Sequence, residues 1–119
     1  MRIAITSTGA NLDADLDPRF GRAQYILIVG DDGAIAEAID NATNRGAMQG
    51  AGIQAGRLLA EKKVDVLLTG NCGPNAFKAL EAAGIKVCVG LQGSVKDVLQ
   101  RFNNNELNFA GSSNVDAHW

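Results

Sequence analysis

At 119 residues, with 46% hydrophobic, 20% charged and only 5% aromatic side chains, the chain fits one globular domain whose core rests on Ala, Val, Ile and Leu. Its formal net charge of −2, from 11 Lys and Arg against 13 Asp and Glu, comes without a long basic run, which argues against general nucleic-acid binding because that needs clustered cations. The apolar N-terminal stretch is too short for a secretory signal and no run approaches the roughly 18 apolar residues of a membrane span, so a cytoplasmic protein without a membrane partner is expected.

Residues 2–6 alternate Ile3 and Ile5 with smaller side chains and read as a first strand, followed by a long loop to about Ala23. Residues 25–30, YILIVG, are apolar almost throughout and suit a strand covered on both faces. Asp31-Asp32-Gly33 then turns the chain into residues 34–40, AIAEAID, a third strand antiparallel to the second, although its alanines also suit a helix. Residues 41–50 carry no apolar period and read as loop. Ala51, Ala55, Leu58 and Leu59 recur at helical spacing over residues 51–63, and residues 64–69, VDVLLT, make the fourth strand.

Pro74 sits where the first turn of a helix tolerates it, and Ala76, Phe77, Leu80 and Ala83 give the buried stripe before Gly84 ends the helix. Residues 85–89, IKVCV, are the fifth strand. Ser94, with Asp97 three residues on, caps a last helix whose apolar face is Val95, Val98, Leu99 and Phe102. Residues 1–107 thus make one domain and residues 108–119 a tail expected to be loosely ordered, the asparagine-rich stretch 103–119 offering Leu107 and Phe109 as its docking side chains.

The fourth strand, its helix and the fifth strand form a βαβ unit, which crosses over right-handed and makes those strands parallel. Adding the hairpin beside strand one predicts an α/β fold: a five-stranded mixed sheet in order 3-2-1-4-5, strand 2 antiparallel, with helices on both faces. Ligands of such sheets bind beyond the carboxyl ends of the strands where the order reverses, here between strands one and four. Loops 7–23, 41–50, 70–74 and 90–93 meet at that edge.

The segment TGNCGPNAF, residues 69–77, joins a strand end to a helix N-terminus, where free N–H groups and the helix dipole favour an anion. Cys72 would face that crevice, and a thiol at a helix start is expected to have a lowered pKa and to be a soft metal ligand. A tight turn in which Cys is merely small accounts for it too. Cys88, alternating with Val87 and Val89, reads as core. The two cysteines lie sixteen residues apart with no C-x-x-C, so one chain offers no zinc or four-thiolate iron–sulfur site.

In DPRFGRAQY, Arg19 and Arg22 flank Phe20-Gly21, and two weakly hydrated guanidiniums beside a glycine turn suit a polyanion or an electron-rich sulfide surface. Pairing with Asp13, Asp15 and Asp17 is the competing reading. NRGAMQGAGIQAG adds Asn44, Arg45, Met48 and Gln49 on a glycine-rich loop; its glycine spacing misses the dinucleotide fingerprint, and there is no G-K-[ST] for a P-loop. Asp13, Asp15 and Asp17 do not make a calcium loop, because Pro18 and Gln24 stand where glycine and glutamate are needed. The single histidine, His118, is one residue from the end of the chain, which argues against a histidine-based triad.

Together Asp17-Pro18-Arg19-Phe20-Gly21-Arg22-Ala23, Asn44 with its glycine run, VDVLLTGNCGPNAFKAL and AAGIKV resemble the dinitrogenase iron–molybdenum cofactor biosynthesis family over about residues 1–107. The resemblance implies a ribonuclease H-like fold without nuclease activity and a non-enzymatic role, binding or ferrying a preformed metal–sulfur cluster. For the branch of the family that the chain looks most like, it implies a mixed molybdenum–copper sulfide cluster held without covalent attachment. Many members place a histidine just before the Phe-Gly pair, whereas this chain has Arg19. That departure favours electrostatic capture by Arg19, Arg22 and Arg45 with backbone amides of Asn71, Cys72, Gly73 and Asn75, and leaves Cys72 as a candidate metal contact. A regulatory binding module that meets P-loop ATPases is the alternative, and a Cys72 hydrolase would lack its histidine base.

Overall fold

In the computed structural model, which describes residues 1–46 and 50–116, strands β1 (Ile3–Ser7), β2 (Tyr25–Val29), β3 (Ile35–Asp40), β4 (Val66–Leu68) and β5 (Lys86–Cys88) form one sheet in order β3-β2-β1-β4-β5. This is the order and composition the sequence predicts. Met48, Gln49 and His118 lie outside the described residues. β1 runs antiparallel to β2 with Ile3 opposite Val29 and Ser7 opposite Tyr25, and parallel to β4 with Ile5 opposite Leu68. β2 and β3 are antiparallel, and β4 and β5 parallel.

Period-two alternation sorts the strand side chains between two cores. On one face Ala4, Ile26, Ile28, Leu67 and Val87 pack under helices α2 (Ala51–Glu61) and α3 (Pro74–Ala82), which supply Ala55, Leu59, Ala76, Phe77 and Leu80. On the other, Ile3, Ile5, Leu27, Val29, Val66, Leu68 and Cys88 pack under α4 (Val95–Asn103) through Val95, Val98 and Leu99. Each such buried aliphatic side chain contributes about 1.5–3 kcal/mol of transfer free energy, which is why the central strands read as continuous apolar runs. β3 is an edge strand of alternating half-buried and exposed residues, so its alanines belong to a strand and not to a helix.

The caps follow the sequence. Ser94 Oγ accepts the Asp97 N–H at 3.1 Å, and Pro74 opens α3. Gly84 takes φ of 76° just beyond α3, a left-handed position that favours glycine. One segment departs from expectation: within residues 41–50, read as loop, a one-turn helix α1 (Ala42–Arg45) forms. So short a helix has no room for an apolar stripe, so periodicity missed it; the Arg45 N–H to Asn41 carbonyl bond of 2.9 Å closes it.

Candidate functional site

The carboxyl ends of β1, β4 and β5 meet the starts of α2, α3 and α4 at one edge, and a buried polar set organises it. Thr6 Oγ1 donates to the Asp17 carbonyl at 2.7 Å and lies 2.8 Å from Thr69 Oγ1, joining β1 to the residue after β4. Asp17, itself buried, accepts the Arg19 N–H on one carboxylate oxygen at 3.2 Å and the Gln24 N–H on the other at 3.1 Å. The acid therefore closes the 17–24 loop by binding its backbone at both ends. That shapes the loop bearing Arg19 and Arg22.

Phe20 anchors this loop in the core, and its N–H donates to the Asn71 carbonyl at 3.1 Å beside an Arg19–Asn71 bridge. Asn71 Nδ2 returns a bond to the Pro18 carbonyl at 3.1 Å. Gly70 lets the two segments meet: a Cβ there would lie 2.8 Å from Pro18 Cα. Gly21 does the same against α2, where an added Cβ would stand 2.5 Å from the Gly52 nitrogen. The arginine loop, the Cys72 turn and the start of α2 are consequently in backbone contact.

Arg45 joins them through Asn41. The buried Asn41 donates to the carbonyls of Ala23 at 2.9 Å and Gly21 at 3.2 Å, and its Oδ1 accepts from Asn44 Nδ2 at 3.1 Å. Arg22 Nη1 donates to the Arg45 carbonyl at 2.9 Å. Arg19 and Arg45 are exposed and Arg22 is half-buried.

A cleft of about 390 Å³ opens at the reversal of strand order, lined by Asp15, Leu16, Pro18, Asn71, Leu91, Gln92 and glycines 70, 90 and 93. Of the expected site residues that the structure describes, only Asn71 lines it. The chain leaves the cleft wall at Pro18, passes Asn71 at Arg19 and Phe20, and reaches the Arg45 segment at Arg22, so the cationic flank begins where the cleft lining ends. Asp15, an exposed acid, lies in the cleft lining on the side away from the arginines. A hollow of about 410 Å³, bordered by Met1, Ile3, Leu99 and Phe102, includes none of the expected residues that the structure describes.

Cys72 differs from expectation. Its side chain is buried in the core with Phe20, Ala76 and Phe77, and desolvation pushes its thiol up to about 12, opposite to the lowering expected at a helix start. The loss of hydration outweighs the helix end because the sulfur packs inward, with Sγ 3.8 Å from the Gly73 carbonyl. Its N–H is also engaged, donating to Asn114 Oδ1 at 2.9 Å. Gly73 and Asn75 lie at the start of α3, whose N-cap Gly73 provides no side-chain bond to the first-turn amides. Among the described residues no group of three or more His, Cys, Asp or Glu is placed to hold a metal ion.

The family model for the dinitrogenase iron–molybdenum cofactor matches residues 1–105. The chain belongs to this family. The solved apo form of the orange protein from Desulfovibrio gigas is 44% identical, with 96% of each chain covered and a TM-score of 0.91. A Thermotoga protein described provisionally as a NifB protein is 31% identical over 96% of this chain and 97% of its own, with a TM-score of 0.82. A Methanocaldococcus jannaschii protein is 32% identical over 95 residues, covering 77% of this chain and 80% of that one. The family match spans the arginine loop, Asn41 and the Cys72 turn but stops before Asn114.

Two residues at this edge escaped the sequence reading. Asn41 had only a misleading signal: asparagine is favoured before a helix, but this side chain makes no cap bond to α1 and reaches back to the Gly21 and Ala23 carbonyls instead. Asn114 had none, because it reaches Gly70 across 44 positions.

Proposed function

We propose that the protein holds and carries a preformed anionic metal–sulfur cluster, of the mixed molybdenum–copper sulfide class, non-covalently and without enzymatic turnover. The cargo would sit at the arginine side of the cleft on the carboxyl edge of the sheet, with Arg19, Arg22 and Arg45 facing its charge and N–H groups at the start of α3 facing its sulfides. The observation that carries this reading is the hydrogen-bonded convergence of the three segments, through Phe20 N–H to Asn71 and Arg22 to Arg45. Membership in the cofactor family supports it, as does the likeness to the orange protein.

The donor set fits a cluster that brings its own sulfides. Guanidiniums and amides bind such a surface without displacing a ligand, whereas the shielded Cys72 thiol would have to lose both its proton and its packing to coordinate a metal. Capture by charge and hydrogen bonds is therefore favoured over thiolate ligation.

Titration of the apo protein with tetrathiomolybdate and copper(I), followed by visible absorbance and amide chemical shifts, tests the reading. Shifts at residues 19–22, 45 and 70–76 with uptake that weakens as salt rises are expected. Uptake indifferent to ionic strength, or no uptake, would overturn it. A regulatory module for P-loop ATPases would instead take up no thiometallate, and none of the relatives described above favours that partner.

A further inference from the structure

The C-terminal segment packs against the Cys72 turn. Ala110 donates its N–H to the Val87 carbonyl at 2.7 Å and packs against the core cluster that contains Cys72. Asn114 then engages three consecutive residues of the turn: Nδ2 donates to the Gly70 carbonyl and to Asn71 Oδ1, each at 3.1 Å, and Oδ1 accepts the Cys72 N–H at 2.9 Å. Its own N–H donates to the Cys72 carbonyl at 3.3 Å. An added Cβ on Gly73 would stand 3.3 Å from the Asp116 carbonyl oxygen, so a side chain at that position would crowd the segment.

We propose that residues 110–116 form a strap in which Asn114 is a positioning residue, holding the Gly70–Gly73 turn in shape and keeping Cys72 out of reach of solvent. The chemistry at position 114 is demanding. A carboxamide presents an acceptor and two N–H donors at one tip, as this site uses; aspartate would set oxygen against two acceptors, and an aliphatic side chain would remove the partner of the Cys72 N–H and of Asn71 Oδ1, leaving the Gly70 carbonyl with the Gly90 N–H alone at 2.7 Å. The hold also reaches the cleft wall. Asn71, whose Oδ1 is held by Asn114, uses its Nδ2 on Pro18, so the strap and the arginine loop are linked through one side chain.

Thiol access is the direct readout, and it does not depend on cargo binding, so this inference and the carrier reading fail separately. A buried thiol reacts only through local opening, at a rate proportional to the open population. Iodoacetamide labelling of the full chain at about pH 8, resolved by peptide mass spectrometry, compares Cys72 with Cys88, which is buried on the opposite face of the sheet. Asn114→Ala and Asn114→Asp are each expected to speed labelling of Cys72 roughly tenfold or more and to leave Cys88 unchanged. Cys72 labelling that stays at the wild-type rate in either variant, or that rises together with Cys88, would overturn the strap.

Discussion

Arg22 Nη1 reaches the carbonyl oxygen of Arg45 at 2.9 Å, across 23 positions of sequence, so the loop after β1 and the turn after β3 present their guanidinium-bearing residues at one flank. The tie is made by a backbone acceptor, which leaves the position of Arg45's own charge independent of that bond.

Arg19 and Arg45 are exposed, so each is expected to act as a rim charge. Arg19→Ala or Arg45→Ala should weaken thiometallate retention by about fivefold, the equivalent of roughly 1 kcal/mol, with little effect on the fold. Each loss should also flatten the salt dependence, because one fewer cation is screened. Equilibrium dialysis over a salt series measures both quantities, and unchanged slopes would contradict the placement of the cargo.

Gly21 is held by sterics. An Ala at this position would put its Cβ 2.5 Å from the Gly52 nitrogen and 2.8 Å from the Ala51 carbonyl carbon, and backbone cannot rotate away as a side chain can. Gly21→Ala should therefore cost about 3 kcal/mol, at the upper end for overpacking. Urea unfolding checks this, with Gly33→Ala as a contrast: that residue meets nothing within 4 Å, and its cost comes from φ of 77° alone.

Asn41→Ala removes the donor to two carbonyls and the acceptor for Asn44 in a site that is 2% exposed. A loss of about 1–3 kcal/mol is expected from the unpaired groups. Amide exchange should quicken at Arg45 and Gly46, whose N–H groups close α1, more than in β1. Equal acceleration in both would mean that Asn41 supports the whole domain and not this turn.

The two thiols predict an alkaline weakness. Burial raises Cys72 from 9.0 to about 12 and moves Cys88 in the same direction. With the folded value above the unfolded one, the native state keeps its proton while the unfolded chain loses it. Stability from this source is thus fully present below about pH 9 and declines as pH climbs toward 12. Denaturation midpoints measured across that window should fall less steeply in Cys72→Ala than in the wild type.

What the sequence determined alone was the sheet and its helices. Two-residue and 3.6-residue periods, Pro74, Gly84 and the Ser94 cap are local records of which face is buried, and the βαβ rule then ordered the strands. It also brought the right loops to one edge, since strand direction decides which loops share an end. The direction of the Cys72 side chain, the one-turn helix α1, the Arg22–Arg45 tie and the grip of Asn114 were decided only in three dimensions. The side-chain features depend on partners up to tens of residues away, such as Phe20 behind Cys72 and Gly70 beneath Asn114, and a contact of that range leaves no period in the chain, whereas α1, closed by the local Arg45 N–H to Asn41 bond, is too short to show one.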